Sequence, residues 1–298
     1  MQEMNLPKLV ERFGSEEKCR RYLEELRWPD GVECPRCQSK KISRIQERQQ
    51  FECSECRYQF SVTAGTIMHD SHLPLWKWFL AIYLIVESKK GISAKQLQRM
   101  LSVSYKTAWY LCHRIRDAMG DDPQLPLKGI VEADETWHGG KKRGRGSGPY
   151  LSGKTVIVGA VERDGDVRLR VTGGRDRGTI ERFLKEVVDD KATAIITDEW
   201  VGYSNLGDAD TAHYTINHTA QEYVRGDVHT NTVENVWSLF KRSVIGSYHQ
   251  VSVKHLPAYL DELEWRFNNR DNPYLFRDTV RALVDADPLT LANLTGKK

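Results

Sequence analysis

Apolar and polar positions along this chain follow two different periods, and the change of period divides it. Cys19, Tyr22, Leu23 and Leu26 recur at helical spacing behind Ser15, an apt N-cap, with Glu16 and Glu17 where a helix dipole favours negative charge. This predicts an amphipathic helix that stops by Trp28-Pro29, with Cys19 on its core face. Residues 31–60 show no long helical repeat. A largely apolar helix is expected from Pro74 to about Ser88, and Gly91-Ile92-Ser93 breaks it. Ser93 then caps a short helix reaching Leu101, Ser102-Val103-Ser104 makes a tight turn, and a further helix is expected over 105–119. Beyond the polar segment Gly120-Asp-Asp-Pro-Gln-Leu-Pro126 the period falls to two. Strands are expected at 129–137, 154–162, 166–172, 193–198 and 212–217, with a helix near 179–188. Helical spacing returns at 229–242, where Val233, Val236, Phe240 and Val244 form an apolar stripe. Three strands, a helix, a strand and more alternation make a mixed α/β domain.

Composition narrows this picture. A hydrophobic fraction of 40% and a charged fraction of 29% are those of an ordinary globular protein. The longest apolar run, 78–86, falls far short of the roughly 20 residues of a membrane span, and Met1-Gln-Glu-Met-Asn-Leu-Pro-Lys8 lacks the pattern of a signal peptide. With four of six cysteines in C-x-x-C pairs, the expected setting is a reducing one, the cytoplasm. The net charge of +3 hides an asymmetry. Residues 1–120 carry 20 Lys and Arg against 14 Asp and Glu, and the remainder carries 24 against 27. A basic front half joined to a more acidic back half fits a nucleic-acid reader attached to a catalytic domain. The stretch 139–150, rich in Gly, Lys and Arg, is expected to be a basic loop between the first two strands.

Cys34-Pro-Arg-Cys37 and Cys53-Ser-Glu-Cys56 are separated by fifteen residues. Each C-x-x-C turn aims two sulfurs at one point, and two such turns close a tetrahedral zinc site around a hairpin. Four cysteines leave no open coordination position, so the zinc is expected to be structural. Lys40, Lys41, Arg44, Arg48 and Arg57 suit DNA binding by this ribbon, with a protein-binding role as the alternative. The helix, turn and helix over 93–119 have the proportions of a helix-turn-helix. On the second helix Ala108, Leu111 and Ile115 would face the core, leaving Tyr105, Lys106, Arg114 and Arg116 for phosphates or bases.

The acidic residues carry the chemistry. Asp134 and Asp198 close apolar runs that read as strands, and Glu234 lies on the helix at 229–242 with Ser238 and Lys241 on the same side. Two carboxylates at strand ends and one from a helix would make an acidic pocket, and a pair of divalent cations is the usual neutraliser. Glu132 shares a strand face with Asp134, and Glu199 adjoins Asp198, so both are stand-ins for the neighbouring ligand. Lys241 is placed to reach a phosphate beside a scissile bond.

At this point the residues resemble a family. The cysteine quartet, Phe60-Ser-Val-Thr-Ala-Gly-Thr66, Pro74-Leu-Trp-Lys-Trp-Phe79 and Val131-Glu-Ala-Asp-Glu-Thr136 are similar to segments of DDE-type insertion-sequence transposases. So are Thr197-Asp-Glu-Trp200, His229-Thr-Asn-Thr-Val-Glu234, Lys241-Arg242 and Glu264-Trp-Arg-Phe-Asn-Asn-Arg270. Between Asp198 and Glu234 stand 35 residues, the interval of the wider integrase superfamily motif. The resemblance implies a ribonuclease H-like catalytic domain, a mixed sheet with flanking helices, preceded by a zinc ribbon. The expected segments are an N-terminal helix (1–30), the ribbon (31–66), a helix-turn-helix-like DNA-binding segment (73–119) and the catalytic domain (126–286). It also implies two Mg²⁺, or Mn²⁺, on Asp134, Asp198 and Glu234, and DNA contacts from Lys241, Arg242, Lys106 and Arg114. The reaction would be cleavage at the element's ends and transfer of the 3′-OH into target DNA, by at least a dimer on DNA. The alternatives are a nuclease that cuts without joining and a non-enzymatic zinc-ribbon regulator.

Overall fold

The computed structural model describes residues 4–120, 125–139, 154–203, 206, 211–216 and 228–296. The basic loop expected at 139–150 lies outside them apart from Gly139, as does much of the polar segment after Gly120. The chain forms two units, Met1–Asp122 with Asp271–Lys298, and Pro123–Arg270.

The first unit begins with α1 (Leu6–Phe13), which the sequence reading missed, and α2 (Glu16–Arg27), capped by Ser15 as expected. Helix α1 is only eight residues long, too few for its apolar repeat to stand out, yet Leu9 and Phe13 are buried. Cys19 is wholly buried, its thiol donating to the Phe13 carbonyl at 3.2 Å. A three-stranded antiparallel ribbon follows: β1 (Ile42–Ile45), β2 (Gln50–Cys53) and β3 (Gln59–Phe60). Helices α3 (Leu75–Val86), α4 (Ala94–Leu101) and α5 (Tyr105–Gly120) come next. Ser102, in the left-handed conformation at φ 49°, makes the turn between α4 and α5.

The second unit is a five-stranded sheet: β4 (Ile130–His138), β5 (Thr155–Glu162), β6 (Val167–Thr172), β7 (Ala194–Asp198) and β8 (Ala212–Ile216). Its order is β6-β5-β4-β7-β8, antiparallel through β6, β5 and β4 and parallel from β4 to β7 to β8. Helix α6 (Arg177–Val187) covers one face, where Val131, Ala133, Val158 and Ala160 meet Ile180, Phe183 and Leu184. Helices α7 (Asn231–Ser243) and α8 (Leu256–Asn268) cover the other, where Ile157, Val161 and Leu169 meet Val233, Trp237, Phe240 and Leu260. This mixed sheet with flanking helices is the layered α/β architecture expected from the sequence.

Strand β6 is the sheet's edge, and its unpaired groups find side chains on α8. The Val167 N–H donates to Asn268 Oδ1 at 2.8 Å, Asn268 Nδ2 donates to the Val167 carbonyl at 3.2 Å, and the Leu169 N–H donates to Glu264. The motif Glu264-Trp-Arg-Phe-Asn-Asn-Arg270 thus closes an edge that would otherwise recruit another strand. The second unit stops at Arg270, short of the boundary near 286 that the sequence suggested. After Asn272-Pro273 the chain enters α9 (Leu275–Asp285), which packs on α3 and α5; the Phe276 ring lies 5.9 Å from that of Phe79. Its strong apolar stripe (Phe276, Val280, Leu283) fits the helical core of the first unit. A short α10 (Leu291–Thr295) ends the described chain. No helix among the described residues is long and apolar enough to cross a membrane.

Candidate active site

Strand β4 pairs parallel with β7, which carries Asp134 and Asp198 toward the same end of the sheet; Asp198 ends β7, but Asp134 stands mid-strand and not, as the sequence suggested, at a strand end, because β5 keeps β4 paired as far as His138. Asp134 sits opposite Gly159 of β5. A Cβ at Gly159 would lie 2.7 Å from the Trp237 ring, so the glycine makes room for that indole. The indole N–H of Trp237 in turn donates to Asp134 Oδ2 at 3.0 Å, fixing the carboxylate's rotation. Asp198 Oδ1 accepts the Trp200 backbone N–H at 3.0 Å, which holds it in a turn at the strand end. Glu234 lies in the first turn of α7 and accepts the Thr230 hydroxyl at 3.1 Å. The three acids, drawn from three elements, line one cavity of about 610 Å³ together with Thr136, Trp237, Ser238, Lys241 and Arg242. Glu199, the stand-in for Asp198, is exposed and does not line it.

The electrostatics of the cavity are unbalanced. Burial, then the neighbouring Glu135 and Asp198 carboxylates, push the Asp134 carboxyl up to about 7. Hard carboxylate oxygens of this kind fit divalent cations of the Mg²⁺ and Mn²⁺ type. Among the described residues, only Cys34, Cys37, Cys53 and Cys56 bring three or more ligand atoms to one point. The carboxylates are more widely spread.

Glu132, the stand-in for Asp134, has a different task. It is fully buried, and its Oε2 accepts the backbone N–H groups of Thr232 at 2.7 Å and Val233 at 3.1 Å. Its Oε1 accepts the Thr232 hydroxyl at 3.0 Å and Arg163 Nε at 2.8 Å. Glu135 also borders the cavity, but its carboxylate is engaged elsewhere: its Oε2 accepts the buried Tyr203 phenol at 2.6 Å and its Oε1 the Arg175 guanidinium at 3.1 Å. Burial, then the Glu135 charge, raise the Tyr203 pKa, which keeps the phenol a donor.

In the ribbon all four Sγ atoms lie within 4.8 Å of one another, with Cys34–Cys56 at 3.5 Å and Cys37–Cys53 at 3.6 Å. Four sulfurs at ~2.3 Å from a tetrahedral zinc would stand about 3.8 Å apart, so the quartet is nearly preformed. The backbone N–H of Cys56 leads the hydrogen bonds that pull the Cys53 thiol down to about 6, toward the thiolate a metal needs. Of the ribbon cations, Arg44 pairs with Glu24, Lys41 with Glu55 at 2.9 Å and Arg57 with Glu52 at 3.3 Å.

The helix-turn-helix reading needs correction at two residues. Tyr105 and Lys106 are exposed in the first turn of α5, but Arg114 and Arg116 are only 4% and 2% exposed. Arg114 donates to the His69 carbonyl at 2.6 Å and lies 5.1 Å from the ring centroids of both Trp78 and Tyr110. Beyond its first turn α5 is buried on nearly every side, so these arginines are packing residues and do not reach DNA. A basic residue beside an apolar stripe reads as exposed in sequence, whereas here α3 covers that face.

Two family profiles match, a transposase zinc-ribbon domain over residues 14–59 and an ISXO2-like transposase domain over 126–268. An uncharacterized protein in transposable element ISH50 of Halobacterium salinarum is 30% identical over 276 residues, covering 86% of this chain and 92% of the relative. This chain belongs to the ISXO2-like transposases. An uncharacterized transposase-like protein of Haemophilus influenzae is 30% identical over 77 residues, which is 26% of this chain and 61% of that protein. Among solved structures, the Mos1 strand transfer complex aligns with 70% of this chain and 75% of its own at 12% identity, with a TM-score of 0.31. A simian T-cell lymphotropic virus intasome aligns with 65% and 66% at 15% identity and a TM-score of 0.28.

In this transposase the cavity gathers Asp134, Asp198, Glu234, Lys241 and Arg242, which the sequence had singled out separately. Trp237, Gly159, Arg163, Tyr203 and Arg175 were not anticipated. Trp237 falls within the apolar repeat of α7, so its polar N–H gave no separate signal.

Proposed function

We propose that this DNA transposase cleaves its element's ends and joins the freed 3′-OH to target DNA in the Asp134, Asp198 and Glu234 cavity. The observation that carries the reading is that acids 64 and 36 positions apart in sequence line one cavity whose rim bears Lys241 and Arg242. Asp134, Asp198 and Glu234 would hold the divalent cations. Bound there, the cations supply Lewis acidity to the scissile phosphodiester and offset the carboxylate charge. Trp237 keeps the Asp134 carboxylate aimed into the cavity. Lys241 and Arg242 hold backbone phosphates, so the scissile bond is positioned by charge and the bases are left unread. The same pocket serves both steps, because cleavage and joining are each an attack by an oxygen on a phosphodiester. Mg²⁺ is the expected cation, with Mn²⁺ able to substitute. The chain would act in the cytoplasm on element-end and target DNA, as a homo-oligomer of at least two copies so that two ends are cut together.

The test is transposition and end cleavage from a plasmid carrying the gene with its flanking DNA. Asp198→Asn should lower cleavage and joining by about 10²- to 10³-fold while DNA binding persists. Near-normal cleavage by that variant would remove the assignment. Cleavage without joining by the unaltered protein would favour the nuclease reading.

A further inference from the structure

Asp134 stands between two glutamates on β4 that point to opposite faces of the sheet, and each is tied to the segment carrying one of the other acids. On the α7 face, Glu132 accepts the backbone N–H groups of Thr232 and Val233. These are groups at the start of α7, whose own N-cap Thr230 makes no capping bond through its side chain. A carboxylate from a neighbouring strand thus caps the helix, with the dipole favouring its charge. Glu234 follows Val233 directly. Arg163 locks the arrangement, giving Nε to Glu132 and Nη2 to the His229 carbonyl at 3.0 Å. On the other face, Glu135 accepts the Tyr203 phenol. Tyr203 belongs to the turn Val201–Tyr203, closed by its N–H on the Trp200 carbonyl at 2.9 Å, and the Trp200 N–H caps Asp198. Arg175 holds the second Glu135 oxygen while lying 4.6 Å from the Trp200 ring centroid.

We infer that Glu132 and Glu135 are positioning residues, Glu132 setting where Glu234 stands and Glu135 where Asp198 stands relative to Asp134. Both Glu135 oxygens are already engaged by Tyr203 and Arg175, and Glu132 is fully buried with four donors converging on it, so neither is free to serve as a ligand. One strand thereby carries an acid of the site and the two anchors that fix the others. The arrangement matters because the three acids come from elements that no short stretch of chain holds together. This inference rests on the proposed metal site.

The test uses the full chain and Mn²⁺ alone, with affinity read by electron paramagnetic resonance and folding by circular dichroism. Glu132→Ala and Glu135→Ala should each weaken Mn²⁺ binding by about tenfold or more. Glu132→Gln, which keeps an acceptor for the α7 amides, should recover most of the loss, and Tyr203→Phe should reproduce the Glu135 effect. Pairing separates positioning from general loosening. Once Glu234→Gln is in place, Glu132→Ala should weaken Mn²⁺ binding no further, yet Glu135→Ala still should. With Asp198→Asn the dependence should reverse. Equal losses in every pairing, or unchanged Mn²⁺ affinity in a folded Glu132→Ala or Tyr203→Phe variant, would overturn the inference. If Asp134→Asn also leaves Mn²⁺ affinity unchanged, the metal site itself fails and the inference falls with it. If only the anchors are silent, the site stands and the inference alone is lost.

Discussion

The cysteine ribbon and the acidic cavity, the proposed metal site, are built in opposite ways. The four thiols lie within one short stretch, two turns aim them inward, and they converge within 4.8 Å. The three carboxylates come from two strands and a helix spread over about a hundred positions, and they line a cavity without closing on one point. Backbone N–H groups at the two turns favour the thiolates, although the neighbouring sulfurs push Cys37 and Cys56 the other way, whereas burial in the cavity opposes ionisation of Asp134. A site that holds structure is finished locally. The proposed active site is left open, and the rest of the domain supplies its rigidity.

The sharpest way to break this contrast is to remove a ligand from each side. Cys53→Ser should abolish zinc binding, whose free energy in such sites is ~10–16 kcal/mol, and unfold the ribbon from about Cys34 to Phe60. Zinc stoichiometry and hydrogen exchange would show it, with β4 to β8 keeping their protection. A ribbon that stays protected without zinc would mean its small aromatic core, Trp28, Phe51 and Phe60, suffices.

Asp134→Asn should act in the opposite direction on stability. An acid whose folded pKa lies near 7, above its ordinary value, costs stability as pH rises through that window. In metal-free protein at pH 8 the substitution should therefore stabilise by about 1–3 kcal/mol, a gain that vanishes near pH 4. Urea titrations at the two pH values would check both sign and window.

The same contrast explains what was legible in the sequence. Cysteine spacing is a local signal and gave the ribbon outright, as the period-two runs gave all five strands within a residue or so. Asp134 and Asp198 were legible because apolar runs end at them, and Glu234 because its helix has a clear stripe. Glu132 could be named but not understood, since its partners Arg163, Thr232 and Val233 lie 31 to 101 positions away. Arg114 was misread for a related reason: its exposure depends on α3 and on His69, neither of which its own helix pattern reports.

That misreading gives the next test. Arg114→Ala should lower stability by about 2–4 kcal/mol without a specific effect on DNA, because it leaves the His69 carbonyl unpaired and two rings uncovered. Lys106→Ala should leave the melting temperature unchanged and weaken DNA binding only slightly. Loss of DNA affinity by a fully stable Arg114→Ala protein would restore the original reading of that helix.

A smaller effect is expected at the cavity rim. Lys241→Ala should weaken DNA binding several-fold and reduce the slope of affinity against salt by about one phosphate contact, with Mn²⁺ affinity unchanged. Lower Mn²⁺ affinity in this variant would mean that the lysine supports the acids and not the DNA.

Asp134, Asp198 and Glu234 are proposed to share divalent ions despite their distance in sequence. Replacing Mg²⁺ with Fe²⁺ in the full chain, adding ascorbate and peroxide, and mapping backbone scission tests this most directly. The account predicts cuts clustered beside all three residues, suppressed by excess Mg²⁺ and lost in Asp134→Asn. Cuts beside one acid only, or cuts unaffected by Mg²⁺ and by that substitution, would contradict it.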